Sequence, residues 1–432
     1  MNVSSVNPTW SLWKKILFRF VFLYLALQIS PWTWLDITGQ FVNKYYSQLL
    51  GWLVTLSNTY LYHVRPVLVP LNGSGDTSFG WAQLLFYLTV AALGCLIWSL
   101  ADRKRPNYIQ LNYWLCLFAR YYLITYLFIY GVIKIFALQM VFPSLHALAT
   151  PLGDFLPMRF SWYFIGYSTP YQVFSGFMEM LAALLLLNWR TATLGVLLAT
   201  AVLTNVMALN LCFDIPVKIF SAQLVFTCLV LLVNESRRII NFFVLNKPAD
   251  TGSIYEFTYN KKWKRVTRII VKVCFIAFAL APRVYQSAKQ YKAYNAPKPN
   301  LLVKNGVYEP VSVIVNNKPV QLLLTDSLLW QDLILEDGTG SIKTGEKLFK
   351  RRYNRVYFVY EIDSANHTFV FKENVDAASV KTITLNYSLP DTNTIKLWGK
   401  KNTDSVAMIF KRKNRHFQLA ERQFHWLTEY NR

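Results

Sequence analysis

The stretch ARYYLITYLFIYGVIKIFALQ, residues 119–139, is long and apolar enough to cross a lipid bilayer, yet it carries two positive charges. A charged side chain inside a membrane span is costly and usually marks a functional site. Arg120 and Lys134 are fourteen residues apart, about 21 Å along a helix, so they lie at different depths. Arg120, near one end, is expected to snorkel to the interface. Lys134 lies about one turn inside the other end, which makes it the first candidate for a functional residue.

Apolar runs of similar length recur along the chain, which is 54% hydrophobic and 16% charged. They predict a polytopic membrane protein. Seven spans are expected near residues 15–35, 81–100, 115–138, 170–188, 191–212, 217–233 and 267–282. The first run continues to Trp34 without a small-residue cleavage site, so we interpret it as a membrane span and signal anchor rather than a cleaved signal peptide.

Basic residues next to the predicted spans fall on one side of the membrane. They occur before the first span, in DRKR at 102–105, at Arg190, and between Arg237 and Arg268. Short loops rich in Lys and Arg stay in the cytoplasm. The pattern therefore predicts a bacterial inner-membrane protein with a cytoplasmic N-terminus and an extracytoplasmic C-terminal domain.

The net charge of +22 is explained by basic residues that face anionic lipid, so the predicted partner is the bilayer. No nucleic-acid-binding motif is present, and we expect no nucleic-acid partner. The five cysteines lie in or at the ends of apolar runs, without a CxxC pair. They are expected to be small buried hydrophobic residues, which argues against thiol redox chemistry. The scattered histidines lack metal-ligand spacing, so no metal site is predicted.

Glu179 is the expected partner of Lys134. It lies about 13 Å inside the fourth span, whereas Lys134 lies about 6 Å inside the end of the third, a difference that two extended side chains can bridge. Gly131 and Gly176, each three residues before a charged residue, predict a close approach of the two helices. One alternative remains open, in which the Lys–Glu pair fixes the helix register and does nothing else.

Further polar residues are expected in the outer half of the same bundle. Asn210 and Asp214 are one turn apart, and Pro216 suits the first turn of the next helix, so Asp214 is also a candidate cap for that helix. The functional hypothesis joins six residues into one ligand-binding cluster: Lys134, Gln139, Glu179, Asn205, Asn210 and Asp214. Rare polar groups that face inward in a membrane usually line a path for a ligand, ion or proton.

Two extracytoplasmic connections are also informative. The segment QLLGWLVTLSNTYLY, residues 48–62, predicts a re-entrant or interfacial helix, with His63 and Arg65 as interfacial anchors. The loop after the third span, which includes His146 and Asp154, is rich in proline, aromatic and small residues. It is interpreted either as a lid over the polar pocket or as a packed interfacial connection.

The chain changes character after the last span. Residues 1–282 form the predicted transmembrane helical domain, 283–300 a polar tether, and 301–432 an extracytoplasmic β domain. The β prediction rests on alternating, β-branched runs separated by turns such as NNKP and EDGTGS. The runs are VSVIVNN, VQLLLTD, RVYFVYEI, HTFVFK, KTITLNYSL, TIKLW and VAMIF. Their spacing favours a sandwich-like or barrel-like all-β fold.

Residues 115–235 resemble the DoxX/DoxD-like family of bacterial membrane proteins. The resemblance rests on RYYLITYLFIYGVIKIFALQ, on PLGDFLPMRFSWYFIGYSTPYQVFSGFMEMLAALLLLNWRTATLG and on NVMALNLCFDIPVKIFS. It implies the larger form of that family, a four-helix core in spans three to six, and an occasional link to quinone-dependent redox assemblies. YGVIK is also similar to a motif of vitamin K-dependent γ-carboxylase-like proteins, in which the lysine is a base; this likeness extends only to Gly131 and Lys134.

Three functions follow as expectations. The leading one is an accessory or redox-linked membrane component whose outer-half pocket binds a quinone-like or lipid-like ligand, while the β domain docks an extracytoplasmic protein partner. The second is a membrane enzyme with Lys134 as base and Glu179 as the residue that tunes it. The third is a small-molecule transporter, although the sequence shows no inverted repeat. Whether the protein is an enzyme is left open by the residues themselves.

Overall fold

The computed structural model of the chain describes residues 9–34, 40–248, 262–296, 302–320, 330–345, 351–373, 381–401, 403–422 and 424–429. The protein divides into two compact units. The helical unit comprises Met1–Met140 and Ser168–Lys292. The barrel unit comprises Val141–Tyr167 and Ala293–Arg432, so the loop between the third and fourth predicted spans belongs with the C-terminal domain.

The helices account for most of the described N-terminal two thirds of the chain. They are α1 Leu12–Ile29, α2 Pro31–Trp34, α3 Phe41–Ser57, α4 Ser78–Ala101, α5 Ile109–Ile135, α6 Leu145–Leu148, α7 Pro157–Tyr167, α8 Thr169–Leu187, α9 Ala192–Cys212, α10 Lys218–Phe243, α11 Lys262–Tyr294 and α12 Gln418–Glu421. Within the described residues, six of them, α4, α5, α8, α9, α10 and α11, are long and apolar enough to cross a membrane. The chain is therefore a polytopic membrane protein, and these six helices match the second to seventh predicted spans.

Helix α1 corresponds to the first predicted span but is not among the six. It has only 18 residues, and Lys14, Lys15 and Arg19 lie in its first half. Arg19 is buried, and its guanidinium is satisfied by hydrogen bonds. It donates to the Tyr108 hydroxyl at 2.7 and 2.9 Å and to the Asp102 carbonyl at 2.7 Å. The cluster of basic residues at this end of the bundle thus includes a structural hydrogen-bond centre.

Two predictions need correction. The predicted tether, 283–300, is helical as far as Tyr294, because Pro282 lies inside α11 without ending it. The residues that follow Pro282 are rich in Ala, Lys, Gln and Arg, which favour helix. Residues 297–300 of the predicted tether lie outside the described part of the chain. The prediction that the cysteines are buried was also wrong for two of them. Cys212 and Cys274 are exposed, whereas Cys95 and Cys228 are buried. The predicted helix at 48–62 is confirmed by α3 and the π-helical turn Asn58–Tyr62 that follows it.

The helical unit is held together by pairs of long helices. Helix α5 packs most extensively on α8, α9 packs on both α8 and α10, and α1 packs on α4. Helices α8 and α9 are joined by only four residues, so the predicted tight hairpin is confirmed. The fully buried core lies along α5, where Leu123, Ile124 and Phe128 are inaccessible to solvent.

The C-terminal domain is a closed antiparallel β-barrel. Its strands are β1 Gly306–Val315, β2 Lys318–Pro319, β3 Asp332–Glu336, β4 Thr339–Lys343, β5 Arg351–Arg352, β6 Arg355–Asp363, β7 Thr368–Glu373, β8 Thr382–Asp391, β9 Thr394–Lys401 and β10 Asp404–Lys413. Eight strands follow the order β10-β9-β8-β7-β6-β4-β3-β1, and β1 pairs with β10 to close the barrel, with Val307 opposite Lys413. Short β2 and β5 pair at the side with β1 and β6.

The barrel interior is filled by aromatic and aliphatic side chains, among them Phe358, Phe369, Phe371 and Phe410, all buried. Six of the seven predicted strand runs are strands, and the seventh, VQLLLTD, lies almost entirely outside the described residues. Strands β3 and β4 were not predicted from the sequence. The EDGTGS motif does contain a turn, with Asp337 and Gly338 at φ of 51° and 81°, but its last residues already belong to β4.

The loop between α5 and α8 packs on the barrel within one unit. The backbone N–H of Leu145 donates to the Glu336 carboxylate at 2.8 Å, and Asn354 donates to Asp154 at 2.8 Å. Ala149 packs against Val307 and Ile334 in a small apolar cluster. The structure therefore agrees with a packed connection, and the partner of that connection is the β domain.

Candidate functional site

Lys134 and Glu179 form a buried ion pair in the helical unit. The Lys134 ammonium donates to Oε1 of Glu179, as the sequence predicted. Their side chains are only 7% and 2% exposed, so water hardly screens the two charges. Lys134 lies in the last turn of α5, and Glu179 lies in the middle of α8.

Two glycines bring the helices close enough for this pair. A Cβ atom at Gly176 would lie 2.7 Å from the Gly131 carbonyl oxygen, 2.7 Å from Cβ of Lys134 and 2.9 Å from the backbone nitrogen of Ile135. A Cβ atom at Gly131 would lie 3.1 Å from the Gly176 carbonyl oxygen. The predicted close approach is confirmed, because each glycine removes the side chain that would hold the two backbones apart.

A third contact joins α8 to the segment that follows α5, and it involves a residue that was not among the predicted site residues. Gln172, which is 1% exposed, accepts from the Met140 backbone N–H at 2.7 Å and donates to the Met140 carbonyl at 2.8 Å. Its position one turn before Gly176, on the same face of α8, is the signal that could have identified it. Gln139, the predicted site residue next to Met140, is half-buried, and its buried Oε1 has no hydrogen-bond partner among the residues that the structure describes.

The remaining predicted site residues are not bonded to the ion pair. Asn205 is exposed on α9, Asn210 is buried near the end of α9, and Asp214 is exposed. Asp214 has a φ of 50° and accepts from the Lys218 ammonium at 2.7 Å. In the described part of the chain, no hydrogen bond or ion pair joins these three residues to Lys134 or Glu179. The structure thus pairs two of the six predicted residues directly.

The cap of α10 is Asp76 and not Asp214. Oδ2 of Asp76 accepts from the backbone N–H of Lys218 at 2.8 Å, and Oδ1 accepts from that of Ile219 at 3.0 Å. The alternative role predicted for Asp214 is therefore wrong. The turn before α10 leaves the Asp214 side chain exposed. The backbone N–H of Gly75 donates a hydrogen bond to the Pro216 carbonyl at 2.9 Å, which places Asp76 next to the first backbone N–H groups of α10.

A small cavity adjoins Glu179. Its volume of about 10 Å³ suits about one water molecule. It is lined by Leu123, Tyr126, Leu127, Tyr130, Glu179, Leu203 and Leu224. The second carboxylate oxygen, Oε2 of Glu179, is buried and has no hydrogen-bond partner among the described residues. Within the described part of the chain, the site therefore contains a buried carboxylate oxygen without a hydrogen-bond donor.

Tyrosines continue from this cavity along α5 at a spacing of four residues. Tyr122, Tyr126 and Tyr130 precede Lys134 at that interval, so all four share one helix face. The Tyr122 and Tyr126 rings are 4.9 Å apart, and Tyr126 also contacts Phe220 at 4.8 Å. This tyrosine series was not among the predicted site residues, although its spacing of four residues is visible in residues 119–139.

A second buried polar group lies in the barrel unit. His146 faces the Ser341 hydroxyl at 3.2 Å, the Thr339 hydroxyl at 3.3 Å and the Glu336 carboxylate at 3.5 Å. Burial, assisted by the positive charge of Arg355, lowers the pKa of His146 to about 4, although the negative charge of Asp332 opposes that shift. The histidine is therefore neutral at pH 7 and accepts or donates single hydrogen bonds between the loop and the barrel.

Among the described residues, no group of three or more His, Cys, Asp or Glu side chains could hold a metal ion. Over 137 residues the chain is 36% identical to the uncharacterised protein YwoB of Bacillus subtilis (strain 168). The matched part is 31% of this chain and 85% of the relative. No protein-family profile matches the chain. No solved structure matches it either.

Proposed function

The chain belongs to the same family as YwoB of Bacillus subtilis, and we propose that it is an accessory or redox-linked membrane protein whose Lys134–Glu179 site binds the polar head of a quinone-like or lipid-like molecule. We place this site in the outer half of a bacterial inner membrane, with the N-terminus in the cytoplasm. The resemblance to DoxX-like proteins supports a link to quinones.

The observation that carries the proposal is the unsatisfied oxygen of Glu179. A buried carboxylate oxygen without a donor is costly, and a partner that donates a hydrogen bond would remove this cost. Lys134 satisfies only Oε1, whereas Oε2 remains available next to the cavity. A quinol hydroxyl, or a hydroxyl or ammonium group of a lipid head, is a donor of the required kind.

The size of the cavity limits how such a ligand can enter. Only about one water molecule fits beside Glu179 in the present conformation. A ring-sized head group therefore requires movement of the lining side chains, such as Tyr130 and Leu203. Their positions on two different helices, α5 and α9, make a small separation of those helices the natural way to enlarge the site.

The ion pair argues against an enzyme that uses Lys134 as base. Lys134 donates a hydrogen bond to Glu179 in this pair, whereas a general base needs a free lone pair to accept a proton. Lys134 suits instead a role in positioning the carboxylate of Glu179 as a hydrogen-bond acceptor. We further propose that the barrel unit serves as the docking domain for an extracytoplasmic partner.

The test is to purify the full chain in a mild detergent and to identify co-purifying quinones and lipids by mass spectrometry. Glu179→Gln keeps the shape of the side chain but removes its charge, and Asp214→Asn is the control at an exposed carboxylate. We expect one class of amphiphile to be retained by the wild type and the control, and at least tenfold less by Glu179→Gln. Equal retention by all three proteins would refute the proposal.

A further inference from the structure

Helix α7 and the residue before it present an exposed apolar face on the barrel unit. Leu156, Phe164 and Tyr167 are 64%, 69% and 40% exposed. Phe164 and Tyr167 are three residues apart in the helix, so their side chains lie on the same side of it. A contiguous set of large exposed apolar side chains marks a surface that binds a partner or a membrane.

Another side of α7 is fixed to the barrel. Nε of Arg159 donates to the Tyr353 hydroxyl at 3.2 Å. The Phe155 ring lies 5.4 Å from the Tyr353 ring and 5.3 Å from the Tyr163 ring. These contacts hold the helix on the barrel unit, so its exposed side has a fixed direction relative to the strands.

The end of the described chain adds a second exposed apolar group beside α7. The Tyr167 hydroxyl donates to the Arg422 carbonyl at 3.4 Å, which connects this end of the chain to the end of α7. Phe424 follows Arg422 by two residues, a backbone distance of at most about 7 Å. Phe424, Trp426 and Leu427 are 77%, 95% and 76% exposed, and the rings of Phe424 and Trp426 are 5.0 Å apart.

These two groups form one apolar surface around the bond between Tyr167 and Arg422. We define the apolar surface by six residues of the barrel unit: Leu156, Phe164, Tyr167, Phe424, Trp426 and Leu427.

The chain connectivity brings this surface to a lipid bilayer. Helix α7 ends at Tyr167, and α8, which is long and apolar enough to cross a membrane, begins at Thr169. Two residues of chain span at most about 7 Å, so Tyr167 lies near the level at which α8 enters the membrane. The ring of Phe142, in the connection that follows α5, lies 6.0 Å from the Tyr167 ring. Both connections to the membrane helices therefore meet at this surface.

We propose that the apolar surface inserts into the interface of the adjacent bilayer leaflet and anchors the barrel unit to the lipid. Phe, Tyr and Trp side chains suit this interface, because their rings contact acyl chains while the polar atoms of Tyr and Trp stay at the head groups. Helix α7 contains no carboxylate that would oppose insertion, and its one charged residue, Arg159, is engaged with Tyr353.

A lipid surface fits better than a protein partner as the occupant. The bilayer is present wherever α8 enters it, whereas a protein partner has to be supplied separately. The proposal does not depend on a ligand of the Lys134–Glu179 site. It also leaves the rest of the barrel surface for an extracytoplasmic partner.

The test measures contact between the apolar surface and lipid in the full chain, reconstituted in phosphatidylcholine nanodiscs. Cys212→Ser and Cys274→Ser first remove the two exposed thiols. A fluorophore is then attached after Phe164→Cys or after Trp426→Cys, each at an exposed position. The quencher is phosphatidylcholine with a spin label on its acyl chain close to the head group.

The matched control is a fluorophore attached after Ala365→Cys, in the exposed turn between β6 and β7. This turn follows the far end of β6 from Tyr353, roughly 26 Å along the strand, so it lies away from α7. We expect the spin-labelled lipid to quench the probes at positions 164 and 426 at least threefold more strongly than the probe at position 365.

Quenching at position 164 or 426 that is no stronger than at position 365 would overturn the proposal. A probe that is protected from aqueous iodide, yet not quenched by the spin-labelled lipid, would show that protein covers the surface and would overturn it as well. The wild type provides a second measurement that needs no substitution. A phosphatidylcholine with a photoreactive diazirine should crosslink to residues 156–167 and not to residues 364–367, and the reverse pattern would contradict the proposed anchor.

Discussion

The buried ion pair allows a prediction in which two damaging substitutions cancel. Removing one member of a buried pair leaves the other charge unpaired, which costs about 3–5 kcal/mol, whereas replacing both by apolar residues of similar volume costs little. Lys134→Met and Glu179→Leu are such replacements. Because the side chains are 7% and 2% exposed, no reduction for solvent screening applies. Each single variant should therefore unfold roughly 10 °C below the wild type, and the double variant within a few degrees of it.

The assay is thermal unfolding of the four purified proteins in one detergent, followed by intrinsic tryptophan fluorescence. The matched control is the pair Lys372–Glu361 on the barrel, whose side chains are 37% and 62% exposed. The variants Lys372→Met and Glu361→Leu should each change stability by less than about 1 kcal/mol. Additive losses for Lys134→Met and Glu179→Leu would refute the reasoning, because uncoupled residues cannot form the pair. A stable double variant that no longer retains the co-purifying amphiphile would separate ligand binding from the structural role.

Three further predictions concern other contacts. Gly176→Ala should destabilise the protein by about 1–3 kcal/mol, because the added Cβ atom would meet Lys134 and the α5 backbone. The control Gly51→Ala has open space around the added Cβ atom and should be neutral or stabilising. Equal effects of the two substitutions in thermal unfolding would contradict the close approach of α5 and α8. Asp76→Ala should destabilise by about 1 kcal/mol through loss of the α10 cap, while Asp214→Ala at an exposed position should change the Tm little, and the reverse order would restore Asp214 as the cap. His146 has a pKa of about 4 in the folded protein and about 6.5 in the unfolded chain. The unfolded chain therefore binds the extra proton first, and the stability should fall by up to about 3 kcal/mol as the pH drops from about 6.5 to 4. His146→Gln should remove that part of the pH dependence of Tm, and an unchanged dependence would show that other groups cause it.

The membrane helices follow from local sequence. Apolar runs of about 20 residues have no other low-energy arrangement than a membrane helix, so the second to seventh spans could be predicted from composition alone. The first predicted span is not among the six membrane-spanning helices of the described chain, and three basic residues fall within the 18 residues of α1. Alternation also predicted most of the barrel strands, but β4, TGSIK, lacks a hydrophobic alternation. Gly340 is there because a Cβ atom would lie 2.2 Å from the Phe358 ring, a contact that only the closed barrel creates.

The candidate site was predictable only in part. Lys134, Glu179, Gly131 and Gly176 could be paired from sequence, since rare charges and small residues at equal spacing on two neighbouring helices must meet across one contact. Asp76 could not be assigned as the α10 cap, because it is 142 residues from Lys218 in the chain and local patterns carry no information about such distances.

What the sequence by itself determined is the six long apolar helices, most of the barrel strands, and the close contact between α5 and α8. The hydrophobic periodicity, the length of an apolar run and the size of its residues are local properties of the sequence. They do not depend on contacts with distant segments of the chain. What only the tertiary structure decided is which side chains remain without a partner. Oε2 of Glu179 and Nε of Arg120 are both buried and have no hydrogen-bond partner in the described ranges of the chain, and this depends on where every neighbouring helix places its donors and acceptors. The same holds for the loop of His146, whose docking partner is a strand nearly 200 residues further along the chain.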